Sequence, residues 1–243
     1  MEVLVVGAGE MGRWFADAVD APVAFADADR DAAEAAASAL DARVVPLDGE
    51  ESFGVVCIAV PMSAAVDAIE AHAPRAQQAV VDVTGRMAEP LAAMARVAPA
   101  RERVSFHPLF AGEHAPGRIA VAAGAPGPAT DGVRRDLDAA GNELVDIDPG
   151  EHDEAMQTIQ GRTHAAILAF GLAADDVPDD LATPVYEELV GVLDRVGGGN
   201  PEVYREIQSV FGGASEVAAA AERLAAAVDD PEAFAEVYDD AGR

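Results

Sequence analysis

The chain has 243 residues, 51% of them hydrophobic, and 44 acidic against 16 basic side chains give a formal net charge of −28. That length suits one large domain or two modest ones with their own cores, and no apolar run reaches the ~18 residues of a membrane span. The charge would repel nucleic acid and anionic membranes, and a single cysteine, Cys57, excludes an internal disulfide.

Every basic residue is arginine; the chain contains no lysine. This acidic balance fits high-salt adaptation, because a Debye length of about 3 Å at 1 M salt screens self-repulsion. A halophilic protein is therefore expected.

The first element is the apolar run Val3 to Val6, which feeds directly into Gly7-Ala8-Gly9-Glu10-Met11-Gly12 and then a helical stretch. Strand, G-x-G-x-x-G and helix in that order form a dinucleotide-binding fingerprint. Gly7 permits the tight turn, Gly9 lets backbone approach a pyrophosphate, and Gly12 allows close helix–strand packing. The helix N-terminus offers N–H groups and a positive dipole end to the phosphates. A second apolar run, Val23 to Ala26, ends at Asp27, where a carboxylate can accept from an adenosine ribose and would repel a 2′-phosphate. NAD is therefore the expected cofactor. Arg30 lies close enough to serve a 2′-phosphate, which keeps NADP as the alternative. A strand starting at residue 3 leaves no room for a signal peptide, so a cytoplasmic location is expected.

Further strands are expected at Val55–Val60, Ala79–Asp82, Val104–Phe106, Ile119–Ala122 and Leu144–Asp148, separated by Ala-rich helical segments. This alternation predicts an α/β fold, a Rossmann-type doubly wound parallel sheet over residues 1–148. Cys57 sits in an apolar run and is expected to be a buried strand residue. Asp148-Pro149-Gly150 is a strong break. Beyond it only helical periodicity remains, interrupted at Gly197-Gly-Gly-Asn-Pro201, so residues 149–243 are expected to form an all-helical domain. Such a small helical core invites packing against a second subunit.

Ligands in open α/β sheets sit at the carboxyl ends of strands. Val60 and Pro61 follow one strand and are expected beside the cofactor. Thr84 lies in a second such segment, Asp82-Val-Thr-Gly-Arg86. His107 follows a third strand, precedes Pro108, and would face the nicotinamide crevice as acid–base group; a histidine capping the strand end is the plainer alternative, and spacing alone leaves both open. Gln160 and His164 lie one turn apart on one helix face and can address one ligand, with packing as the alternative for His164. His152 and Asp153 fall in that segment's first turn, where an acidic residue stabilises the helix N-terminus. No His-x-x-x-His pair occurs, so no metal is expected. His72 and His114 read as solvent or loop histidines. Without lysine, dehydrogenases of the Tyr-x-x-x-Lys and β-hydroxyacid classes are excluded, and histidine is left as proton partner.

Taken together, these segments resemble the prephenate dehydrogenase family over nearly the whole chain. The resemblance rests on Gly7–Gly12, Asp82–Met87, His107-Pro108-Leu109-Phe110, the Glu151-His152-Asp153…Met156…Gln160…His164 helix, and Arg195 ahead of Asn200-Pro-Glu-Val-Tyr204. Two positions depart from the family pattern: its serine falls on Gly85 and its lysine on Met87, with Thr84 the nearest hydroxyl. The gating loop also differs at Phe110-Ala-Gly-Glu113, although Glu113 is retained. The resemblance implies oxidative decarboxylation of prephenate, a dianion, to 4-hydroxyphenylpyruvate in tyrosine biosynthesis. His107 would handle the hydroxyl proton, Arg195 would bind a substrate carboxylate, and His164, Gln160 and Thr84 would complete the pocket. It further implies a homodimer through the helical domain. An arogenate dehydrogenase and a non-catalytic nucleotide sensor are the alternatives.

Overall fold

Strand β1 (Val3–Val6) is buried at all four positions, which explains why its sequence is apolar throughout rather than alternating: helices cover both faces of the sheet. The same holds for β2 (Val23–Ala26) and β4 (Phe53–Ile58), where Cys57 lies fully buried. The computed structural model describes residues 2–242. The chain divides into two compact units, Met1–Asp153 and Glu154–Arg243.

The described residues of the first unit form one eight-stranded sheet in the order β3-β2-β1-β4-β5-β6-β7-β8. The remaining strands are β3 (Arg43–Val44), β5 (Ala76–Asp82), β6 (Glu102–Pro108), β7 (Arg118–Ala125) and β8 (Glu143–Asp146). Six strands run parallel; β7 is antiparallel to β6, and β8 is parallel to β7. A wholly parallel sheet was the expectation, and the connection explains the difference. A parallel return needs a crossover of about a dozen residues, and the loop between Pro108 and Arg118 is shorter, so β7 must reverse. β3 was missed because it has two residues, neither of them buried, at the sheet edge.

Alternation within the strands divides the core between the two faces. Val3, Val5, Phe25 and Cys57 pack with Phe15 of α1 (Glu10–Ala18), the alanines of α2 (Arg30–Ala39) and Leu137 of α5 (Pro128–Ala139). Leu4, Val6, Val56 and Ile58 pack with Ile69 of α3 (Ala65–His72) and Leu91 and Met94 of α4 (Ala88–Val97). His72 belongs to the inward stripe of α3 with Ala65 and Ile69 and is buried, not a solvent or loop histidine. Its pKa is lowered by burial and by the nearby Arg75.

Helix α6 (Pro149–Met156) carries the division between the units. In the second unit follow a π-helical stretch (Gln157–Arg162), α7 (Thr163–Ala173), α8 (Pro184–Gly197), α9 (Pro201–Phe211), α10 (Ala214–Ala227) and α11 (Pro231–Ala241). Helix starts pair a side-chain cap with proline at the first position: Thr183-Pro184, Asn200-Pro201 and Asp230-Pro231, each cap accepting from backbone N–H. Proline fits there because its missing N–H would have no helical partner. The π-helical stretch stands where regular helix was expected. Gly161 is the reason: a Cβ on it would lie 2.5 Å from the Gly212 carbonyl oxygen, and Gln208 Nε2 donates to the Gly161 carbonyl at 2.8 Å. No helix among the described residues is long and apolar enough to cross a membrane.

Candidate active site

The site begins at the turn after β1, where the strand order reverses between β1 and β4. Gly7 adopts φ +105°, and a Cβ there would lie 2.2 Å from the Ala59 carbonyl oxygen. A Cβ on Gly12 would lie 2.0 Å from the Gly7 carbonyl oxygen, whereas one on Gly9 would meet nothing within 4 Å. Packing therefore requires two of the glycines, while the third fronts open space at the start of α1. No side chain caps that helix among the described residues, so its first-turn N–H groups face the same space. This cradle fits a dinucleotide pyrophosphate.

Asp27 Oδ2 accepts from the Ala8 N–H at 2.6 Å, and Oδ1 accepts from the Asp29 N–H at 2.8 Å. The acid at the end of β2 thus braces the glycine turn, and its remaining lone pairs suit ribose hydroxyls. Arg30 pairs with Glu34 at 2.8 Å on an exposed face. Val60 contributes a methyl near Gly7, and Pro61 leads into the short turn Met62–Ala64. Glu10 of the fingerprint reaches across to the loop after β6, where Oε1 accepts from the Gly112 N–H at 2.5 Å. Phe110 in the same loop packs edge-on against Trp14, centroids 5.4 Å apart.

His107 is the penultimate residue of β6, on the sheet edge where β1 and β4 also end, and it is almost fully buried. Its Nδ1 lies 2.8 Å from Nε2 of His152, whose own Nδ1 lies 2.9 Å from Asp153 Oδ1. The two rings meet edge-on with centroids 5.0 Å apart. Asp153 also accepts from the N–H groups of Met87 and Ala88 at 3.0 and 3.1 Å, and so caps α4 from a distant part of the chain. Burial pushes the Asp153 carboxyl up, but the bonds from His152, Met87 and Ala88 outweigh it and hold the group below its ordinary value. Burial, with charge on His152 adding to it, pushes His107 down to about 3. His107 is therefore neutral at physiological pH.

No family model matches this chain. The 4-amino-4-deoxyprephenate dehydrogenase of Streptomyces pristinaespiralis is 31% identical over 264 residues, covering 97% of this chain and 88% of that protein. The chain belongs to the prephenate and arogenate dehydrogenase family. The solved prephenate dehydrogenase of Aquifex aeolicus shares the fold with a TM-score of 0.74 at 16% identity, over 99% of this chain and 97% of that one. Its complex with hydroxyphenyl propionate and NAD+ gives 0.70. The arogenate dehydrogenase of Synechocystis gives 0.66 at 16% identity, over 100% and 98% of the two chains.

Within this dehydrogenase fold the other expected residues occupy varied surroundings. The Thr84 hydroxyl is buried and donates within its own turn, to Asp82 Oδ1 at 2.7 Å and the Arg86 carbonyl at 3.0 Å. Gly85 faces His107: a Cβ on it would lie 3.5 Å from His107 Nε2 and 2.7 Å from Met62 Sδ. Met87, at the family's lysine position, is fully buried in the core. In the helical unit, His164 stacks edge-on with Tyr204 at 5.0 Å, and its Nδ1 is buried without a hydrogen-bond partner among the described residues. Burial lowers its pKa. Gln160 lies in the π-helical stretch, and Arg195 is exposed in the last turn of α8. His152 and Asp153 were read as a helix start and as part of the family resemblance, with no link to His107. Their reach of 45 residues to His107 and 66 to Met87 has no local sequence signal.

Proposed function

We propose that this protein is an NAD+-dependent prephenate dehydrogenase that releases CO2 and 4-hydroxyphenylpyruvate. The observation that carries the proposal is a buried neutral His107 on the same sheet edge as the glycine cradle, in a chain of this family. Gly7 to Gly12 and Asp27 would hold the dinucleotide, with Val60 and Pro61 beside it. When bound, the nicotinamide supplies the hydride acceptor. Its reactivity belongs to the cofactor; the protein supplies position and proton handling.

The protein's own chemistry takes place at the substrate's C4 hydroxyl. His107 Nε2 accepts the hydroxyl proton as the C4–O bond gains double-bond character. When the ring C–CO2 bond breaks, its electron pair aromatises the ring, and His107 returns the proton to the oxygen. The base ends as it began, and a positioned base of this kind contributes about 10²–10⁴ in rate. Burial keeps His107 in the neutral form that can accept, and at the same time weakens it as a base. The substrate is a dianion approaching a chain of net charge −28, so arginine must invert the potential locally; Arg195 is the proposed carboxylate ligand, by its bidentate fork. His164 and Gln160 are proposed as further substrate contacts. The exposed apolar surface of the helical unit supports a homodimer.

A second reading has an amine at C4, the substrate named for the Streptomyces relative. The observation behind it is Gly85, which brings no side-chain hydroxyl beside His107 Nε2 where the family resemblance places a serine. The deciding assay follows absorbance at 340 nm in about molar KCl, with prephenate, arogenate or 4-amino-4-deoxyprephenate and either NAD+ or NADP+. The proposal requires the highest kcat/KM with prephenate and NAD+. Turnover of arogenate or the amino substrate alone replaces the substrate, and no turnover by folded protein rejects the enzyme reading.

A further inference from the structure

We infer that His152 and Asp153 are positioning residues that fix the tautomer of His107 and receive the charge it collects; this rests on the dehydrogenase reading. Asp153 is anchored by two backbone N–H groups at the start of α4. Held as a carboxylate, it can only accept, so His152 must carry its proton on Nδ1. His152 Nε2 is then an acceptor, and the 2.8 Å bond requires His107 to donate from Nδ1. His107 Nε2, the nitrogen facing Gly85, is left deprotonated. One carboxylate thus sets the direction of two hydrogen bonds and presents the base in the form that accepts a proton.

The same bonds give the proton somewhere to go. As His107 Nε2 takes the substrate proton, its Nδ1 proton can pass to His152 Nε2. One N–H bond forms and one breaks on His107, and the positive charge comes to rest on His152 beside the Asp153 carboxylate. The charge then lies on the ring that has a carboxylate partner. When the substrate oxygen needs its proton back, both transfers reverse. His152 is fully buried, so solvent cannot substitute for Asp153 as counter-charge. The other charged groups near the chain are Asp82, which acts electrostatically on Asp153, and Arg86, whose Nε lies 3.8 Å from Asp153 Oδ2 while its NH1 pairs with Glu89.

Two measurements on full-length protein test this. In the substrate-free wild type, long-range ¹H–¹⁵N imidazole spectra should show His107 protonated at Nδ1 and bare at Nε2. In Asp153→Asn the counter-charge is lost and an NH2 group enters the cluster, so His107 should no longer be held in the Nδ1–H form alone. That variant should lose about 10³–10⁴ in kcat, as expected of a wrong tautomer, with nucleotide affinity within about twofold. His152→Gln keeps an acceptor for His107 but cannot take a proton. Both variants should move the acidic limb of the kcat–pH profile to lower pH, because the base then protonates without its counter-charge. A purely structural role would lower kcat and leave that limb in place, which would overturn the inference. So would a wild-type His107 protonated at Nε2, a result that needs neither substrate nor a folded variant. If the wild type shows the expected tautomer but oxidises no cyclohexadienyl substrate, the relay stands and the assigned reaction falls.

Discussion

The sheet unit and the helical unit treat their apolar side chains differently. In Met1–Asp153 the large residues Phe15, Phe25, Phe53 and Phe106 lie fully inside. In Glu154–Arg243, Leu172 is 90% exposed, Val185 75% and Leu181 73%. A doubly wound sheet supplies its own cover, since each face receives helices from the connections that build it. Helices α7 to α11 have no such arrangement. Helix α7 is apolar on nearly every side, yet only Ala165 and Ile167 of it are buried. The contrast extends to chemistry: the glycine cradle, His107 as the proposed base, and His152 and Asp153 as its proposed relay all belong to the self-sufficient unit. The helical unit holds the proposed substrate ligands and the exposed apolar surface proposed to meet a second copy.

The contrast breaks first if the chemistry is misplaced. His107→Asn should lower kcat by about 10²–10⁴ and leave NAD+ affinity near the wild-type value by calorimetry. A variant retaining activity would show that the sheet unit does not hold the base, and one losing nucleotide affinity would show that His107 mainly shapes the cradle. The next largest effect concerns cover alone. Phe15→Ala removes a fully buried ring from beneath α1 and should cost about 3–5 kcal/mol in denaturant unfolding. A loss under 1 kcal/mol would mean that this core is looser than its burial indicates.

The parts of the fold that sequence revealed are those where one local pattern has one outcome. Val3–Val6 and Val23–Ala26 match expectation to the residue because four consecutive buried positions bounded by turns leave little else to form. The Asp148-Pro149 break is the start of α6, where Asp148 Oδ1 accepts from the Gly150 N–H at 2.8 Å. Strand direction was not legible, since alternation is the same either way along a chain; only the short link before β7 carried that information. The π-helical stretch follows from a meeting of Gly161 with Gly212 that no helical periodicity records. At the site, His107 was visible as a histidine at a strand end. Its hydrogen bond to His152 was not, because adjacency on a helix says nothing about a partner 45 residues away.

A finer probe of the sheet unit uses pH. Asp82 is fully buried at the end of β5, and burial raises its pKa from 3.8 to about 7, against opposing hydrogen bonds from Thr84. Between about pH 4 and 7 the folded protein keeps a proton that the unfolded chain releases, so this group's contribution to stability falls as pH rises through that window. His107, depressed from 6.5 to about 3, acts in the opposite direction: the unfolded chain binds a proton that the fold refuses, and stability falls as pH drops below 6.5. Asp82→Asn removes the first effect alone. It should raise Tm by a few degrees at pH 8, equivalent to about 1–3 kcal/mol, with the gain shrinking toward pH 5. An equal shift at both pH values would mean that the fold does not raise the Asp82 pKa.

The smallest energetic effect bears most directly on the helical unit. Leu172 lies near the end of α7 and makes almost no use of its own chain for cover. Leu172→Asp should therefore change the stability of the isolated chain by no more than about 0.5 kcal/mol, as for other surface substitutions. It would nevertheless place a charge on the apolar surface proposed to meet a second copy. Multi-angle scattering in about molar KCl should give twice the chain mass for the wild type and a concentration-dependent shift toward one chain for the variant. A dimeric variant would move the interface away from α7. A monomeric wild type would leave Leu172, Leu181 and Val185 in solvent, and the helical unit would be exposed for a reason other than assembly.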